Sequence, residues 1–91
     1  MSTIKIESRS EIYDNGNHKV GLTKDLKPYI INLKYIQYAT VVSEYIQKGD
    51  GARYYSMGDE KFEFVLIVTN TNIKFYTQSI TLDALNEKLN S

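Results

Sequence analysis

Ninety-one residues, 42% hydrophobic, 24% charged and formally neutral overall, describe one small globular domain, because that apolar share is too large for a disordered chain. The absence of cysteine excludes disulfide frameworks, thiolate zinc sites and thiol catalysis together. No apolar run reaches the roughly 18–20 residues of a membrane span and no signal-peptide pattern opens the chain, so the expectation is a cytoplasmic protein without a membrane partner.

Residues 3–8 (TIKIES) alternate Ile4 and Ile6 with polar side chains and read as an edge-compatible strand. Asp14-Asn15-Gly16-Asn17 is a turn signal with Asn-Gly at its centre. Residues 10–13 and 18–22 flank it as the arms of a first hairpin. Val20 and Leu22 are expected to face inward, and Gly21 between them marks a candidate bulge. His18, the single histidine, belongs to this hairpin as a solvated residue. Asp14 lies close to it, but no nucleophile completes a triad.

Residues 29–48, YIINLKYIQYATVVSEYIQK, admit two readings. As a helix, Ile31, Tyr35, Tyr38, Val42 and Tyr45 recur at spacings of four and three, Pro28 sits in the first turn and Gly49 ends it. Its apolar arc would then exceed what one small sheet covers, leaving an oligomer interface. As strands, the Ile, Val, Tyr and Thr content dominates: residues 29–32, a turn near 33–35, then residues 36–46. The strand reading is preferred, with the second long helix as the alternative.

Residues 47–60, QKGDGARYYSMGDE, are the longest loop-like stretch. Arg53, Tyr54 and Tyr55 place a cation beside two aromatic rings, a combination often central in protein interfaces and able to stack on bases. They are the candidate binding residues. The competing reading makes residues 52–57 one more strand, with Tyr54 or Tyr55 packed on the sheet. Lys48-Gly49-Asp50-Gly51 lacks the ending and the helix of a phosphate loop. Asp50, Asp59 and Glu60 match no calcium-loop spacing, so no metal or other cofactor is expected.

Residues 61–69 (KFEFVLIVT), a turn at 70–72 and residues 73–77 (IKFYT) form a second hairpin. Phe62, Phe64, Leu66 and Val68 share one face and Val65 and Ile67 the other, as suits an interior strand. A short helix follows from Thr81, whose hydroxyl can cap it, with Ile80 and Leu85 spaced as a hydrophobic staple. Leu82, Leu85 and Leu89 form its apolar stripe.

The order IINLKYIQYATVV, FEFVLIVTNTNIKFYTQS, ITLDALNEKL resembles the first half of a LytTR-type DNA-binding domain over roughly residues 30–90, where a strand leads into a hairpin and a Leu-rich helix. The resemblance is one of supersecondary order: no functional residue carries over, and the chain ends where that family continues with DNA-contacting strands.

The fold expected is α+β: an antiparallel sheet of about five strands with the C-terminal helix packed on one face. No nucleophile–base pair or metal cage points to an enzyme. The function expected is protein binding, as a homo-oligomer or against a host protein. The composition is that of phage and mobile-element accessory products, which points to an inhibitor or modulator acting by occlusion. Six of the eight tyrosines lie between Tyr29 and Tyr55, and Tyr suits partly covered surfaces. Nucleic-acid or nucleotide binding through Arg53, Tyr54, Tyr55 and the cluster Lys19, Lys24, Lys27 and Lys34 is the alternative. It is disfavoured because the basic excess of residues 1–48, seven Lys/Arg against five acids, is slight.

Overall fold

A computed structural model describes residues 2–48 and 57–91. The domain is α+β, as the periodicities imply, but its sheet is mixed and has seven strands among the described residues where about five antiparallel ones were expected. In chain order these are β1 (Thr3–Arg9), β2 (Glu11–Tyr13), β3 (Lys19–Leu22), β4 (Lys27–Asn32), β5 (Ile36–Gln47), β6 (Met57–Thr69) and β7 (Lys74–Thr77), followed by α1 (Leu82–Leu89).

The strand order is β2-β3-β5-β6-β7-β1-β4. β1 is therefore interior, between β7 and β4, and not at an edge. β6 is interior as its two-sided apolar centre implied. The alternative helix over residues 29–48 is overturned: β4, a 3-10 turn at Leu33–Tyr35 and β5 occupy that stretch. The Asn32 side chain accepts from the Lys34 N–H to start the turn, and β-branched residues on either side prefer extended backbone.

Both ends of the expected loop at 47–60 belong to strands, since Gln47 ends β5 and Met57 opens β6, paired with each other. β3 contributes the departure from antiparallel order, running parallel to β5 with Leu22 beside Ile46. Val20 is the residue that the shifted β2–β3 pairing skips, so the bulge falls beside Gly21. A Cβ on Gly21 would lie 2.7 Å from the Tyr45 carbonyl oxygen; only glycine permits this approach of β3 to β5.

This order rolls the sheet. β2 and β1 are five strand spacings apart, about 24 Å in a flat sheet, yet Ser10 alone separates them in sequence. Two peptide units reach only about 7 Å. β2 must therefore curl back to the end of β1, leaving β4 beyond it, and two apolar clusters result. Leu85 of α1 packs with Ile4, Ile6, Ile31, Val65 and Ile67 on one face. On the other, Leu22 covers Phe64 and Tyr76, with Val42, Ile46 and Leu66 around them.

Phe62 does not join Phe64 in the core: it is 45% exposed, because β7 pairs only with Val65–Val68 and stops short of it. The helix forms as expected. The Thr81 hydroxyl accepts from the Ala84 N–H at 3.1 Å, and Ile80 packs on the cluster that holds Leu85. Leu89 leaves the stripe and is exposed.

Candidate functional site

Arg53, Tyr54 and Tyr55 lie outside the described residues, as do Gly49, Asp50 and Gly51. The other tyrosines do not share one face. Tyr38 stands opposite Val68 and Tyr45 opposite Lys61, and their odd separation along β5 sends them to opposite sides of the sheet. Lys61 Nζ lies 5.2 Å from the Tyr45 ring centroid, a cation–π contact that occupies that side chain.

The structure instead brings together residues from elements far apart in sequence. β4 and the start of β7 enclose two adjoining cavities that share Ile73 and Phe75. One, about 310 Å³, is lined by Ile30, Ile31, Tyr35, Ile73 and Phe75, with Thr69 and Thr71 at its margin. The second, about 480 Å³, has Arg9, Glu11 and Lys74 among its lining residues and is the more polar of the two. Tyr29 forms one wall and packs edge-on against Phe75, ring centroids 4.9 Å apart.

Local structure holds this groove open. Asn72 adopts a left-handed φ of 67°, which asparagine tolerates better than most residues, and the turn so formed projects Ile73 outward. The Asn70 N–H donates to the Tyr35 carbonyl at 2.8 Å, tying the 3-10 turn to the β6–β7 turn and fixing Tyr35 at the groove mouth. Arg9 reaches over to donate through Nη1 to the Thr23 and Lys24 carbonyls. Its Nε is buried without a hydrogen-bond partner, a costly state for a donor.

On the opposite side of the groove wall, Glu11 leads into a polar network. The Tyr76 hydroxyl donates to Glu11 Oε2 at 2.6 Å and the Tyr13 hydroxyl to Oε1 at 2.8 Å. Lys19 Nζ bonds Glu44 at 2.6 Å and the Tyr76 oxygen at 3.2 Å. Partial burial pushes the Glu11 carboxyl up, but the hydrogen bonds from Tyr76 and Tyr13 together with the nearby charges of Lys74 and Lys19 hold it below its ordinary value. Burial, then the bond to Glu11, pushes the Tyr76 phenol far above its ordinary value. Both groups are thus displaced away from neutrality, the reverse of what an acid–base pair working near pH 7 needs.

Among the described residues no three His, Asp or Glu side chains cluster in a way that could hold a metal ion. His18 is a turn residue, its side chain 83% exposed, while Asp14 Oδ1 accepts from the His18 and Gly16 N–H groups at 2.9 Å each. No helix among the described residues is long and apolar enough to cross a membrane.

No protein-family model, no curated protein and no solved structure matches the chain. The groove was not legible in the sequence, since Ile30, Tyr35 and Ile73 come from a strand, a turn and a hairpin. The one available signal is that each is a large apolar residue next to a turn or an edge, where burial by the fold itself is least expected.

Proposed function

We propose that this protein is a non-enzymatic binding module that recognises another polypeptide and acts by occluding it, as an inhibitor or modulator. The observation that carries this reading is the exposure of Ile30 (68%), Tyr35 (53%) and Ile73 (53%) around a single concave surface. Singly exposed apolar residues are ordinary on soluble proteins. Three grouped at a groove with a more polar cavity beside it have the makeup of an interface core and its rim. The nucleic-acid alternative draws no support from Lys19, which is committed to Glu44 and to Tyr76.

The test is capture of a partner from lysate on immobilised protein, comparing wild type with the double variant Tyr35→Ala, Ile73→Asp. Both side chains are exposed, so the variant is expected to melt within a few degrees of wild type while losing the captured protein. Wild-type capture should persist in high salt; a steep loss with salt would favour phosphate contacts and the nucleic-acid reading. Retained capture by the double variant would move the binding surface elsewhere. The triple variant Arg53→Ala, Tyr54→Ala, Tyr55→Ala in the same assay then decides whether that residue group supplies it.

A further inference from the structure

We propose that two copies of this chain pair antiparallel through β4, with the two-fold axis at Ile30, so that one sheet runs through the dimer. β4 closes the strand order and is paired on one side alone, with β1, among the described residues. Where its remaining backbone groups point follows from the neighbouring strand. The Glu7 N–H donates to Ser79 Oγ at 2.9 Å, and the Glu7 carbonyl accepts from Thr77 Oγ1 at 2.7 Å. Both groups of Glu7 therefore face away from β4.

Glu7 stands opposite Pro28. In an antiparallel ladder a facing pair exchanges both of its hydrogen bonds or neither, so Pro28 points outward, and two residues on so does Ile30. The Leu33 N–H, which bonds the Ser2 carbonyl at 3.0 Å, gives the same alternation from the other end. Proline has no N–H to offer. Between residues 27 and 31, Ile30 thus supplies the complete donor–acceptor pair on the open edge. Residues 27–30 are all exposed, Ile30 at 68%.

An edge built this way is self-complementary about Ile30. The Ile30 N–H of each copy meets the Ile30 carbonyl of the other. Tyr29 then falls opposite Ile31 and Lys27 opposite Leu33, so apolar side chains meet and no lysine faces a lysine. Shifting the axis to Pro28 would delete both central donors. Edge strands left open in this way are templates for a further strand, and here the strand with the matching pattern is the same one. The inference stands on the backbone of β4, separately from whatever fills the adjoining groove.

The chain has no cysteine, so Ile30→Cys introduces a unique thiol. Hydrogen-bonded antiparallel residues have Cα atoms about 5.5 Å apart, inside the roughly 4.4–6.8 Å range of disulfides. Under mild oxidation this variant should cross-link to a dimer at least tenfold faster than Tyr38→Cys, an exposed control on β5. Light scattering of wild type at high micromolar concentration should give twice the 10.5 kDa chain mass, and Ile30→Lys should give the single-chain mass with an unchanged melt. A wild-type monomer, an Ile30→Lys dimer, or equal cross-linking by the two cysteine variants would each overturn the proposal. Ile30 also lines the adjoining groove, so partner capture is tested on the Tyr35→Ala, Ile73→Asp variant, which leaves Ile30 and the β4 edge intact and should still form the dimer.

Discussion

Tyr76 shows how one side chain can hold a rolled sheet together. Its ring is 1% exposed beside Leu22 and Phe64, and its hydroxyl emerges between Glu11 of β2 and Lys19 of β3. Lys19 Nζ also lies 5.2 Å from the ring centroid. The β2–β3 hairpin is thus latched to β7 by charge-assisted hydrogen bonds, which are stronger than neutral ones. A pH dependence follows from Glu11. Its folded value lies below the ordinary 4.5, so the folded state binds this proton less readily than the unfolded state. The latch contributes its stability above the ordinary value and loses it as pH falls through the folded one. The melting temperature of wild type should therefore drop as pH falls below 4.5. In Glu11→Gln, which has no such proton to bind, the drop should be shallower and the neutral-pH melt lower. Parallel acid profiles for the two proteins would remove Glu11 as a source of acid sensitivity.

At the scale of elements, α1 separates what its own sequence supplies from what the sheet supplies. Thr81 caps the first turn and Leu85 is fully buried against five sheet residues, whereas Leu89 is 37% exposed. Thr81→Ala should lower stability by about 1 kcal/mol through a lost cap. Leu85→Ala should cost about 2–5 kcal/mol through a lost core side chain, and Leu89→Ala much less than either. Urea midpoints give the ratio, and equal small losses for Thr81 and Leu85 would mean a frayed helix that adds little to the core. The start of α1 was legible because cap and staple are local patterns, whereas Leu89, placed in the stripe by its spacing, lies at the last turn and is exposed. The β4–turn–β5 sequence was legible for the same reason, through its β-branched and aromatic content. The interior place of β1 was not. Ile4 and Ile6 alternate with polar residues, which fits an edge or an interior strand equally, and its neighbour β7 lies at the other end of the chain. The parallel β3–β5 contact and the groove at Tyr35 and Ile73 depend on the same long-range closure, which no window of sequence contains.

Across the whole molecule, the chain ends are joined through β1. Ser8 pairs with Thr77, the Ser8 hydroxyl accepts from the Tyr76 N–H at 2.9 Å, and Ser79 Oγ accepts from the Glu7 N–H. Ile4 and Ile6 share a core with Leu85 of the last element. By contrast β5, β6 and β7 follow one another in sequence and pair with their immediate successors. Closing a long loop costs more entropy than closing a short one, so the β5–β6–β7 meander should form before β1 docks. We predict that Ile67→Ala, in the centre of the meander, slows refolding. Ile6→Ala, in the late strand, should leave refolding nearly unchanged and speed unfolding instead. Both residues lie in the same cluster and are almost fully buried, so their equilibrium losses should be comparable and the contrast lies in how each loss divides between the two rates. Stopped-flow chevrons in urea measure that division directly. Should Ile6→Ala slow refolding as much as Ile67→Ala, β1 belongs to the nucleus. The sheet would then close from the chain ends inward and not from the meander outward.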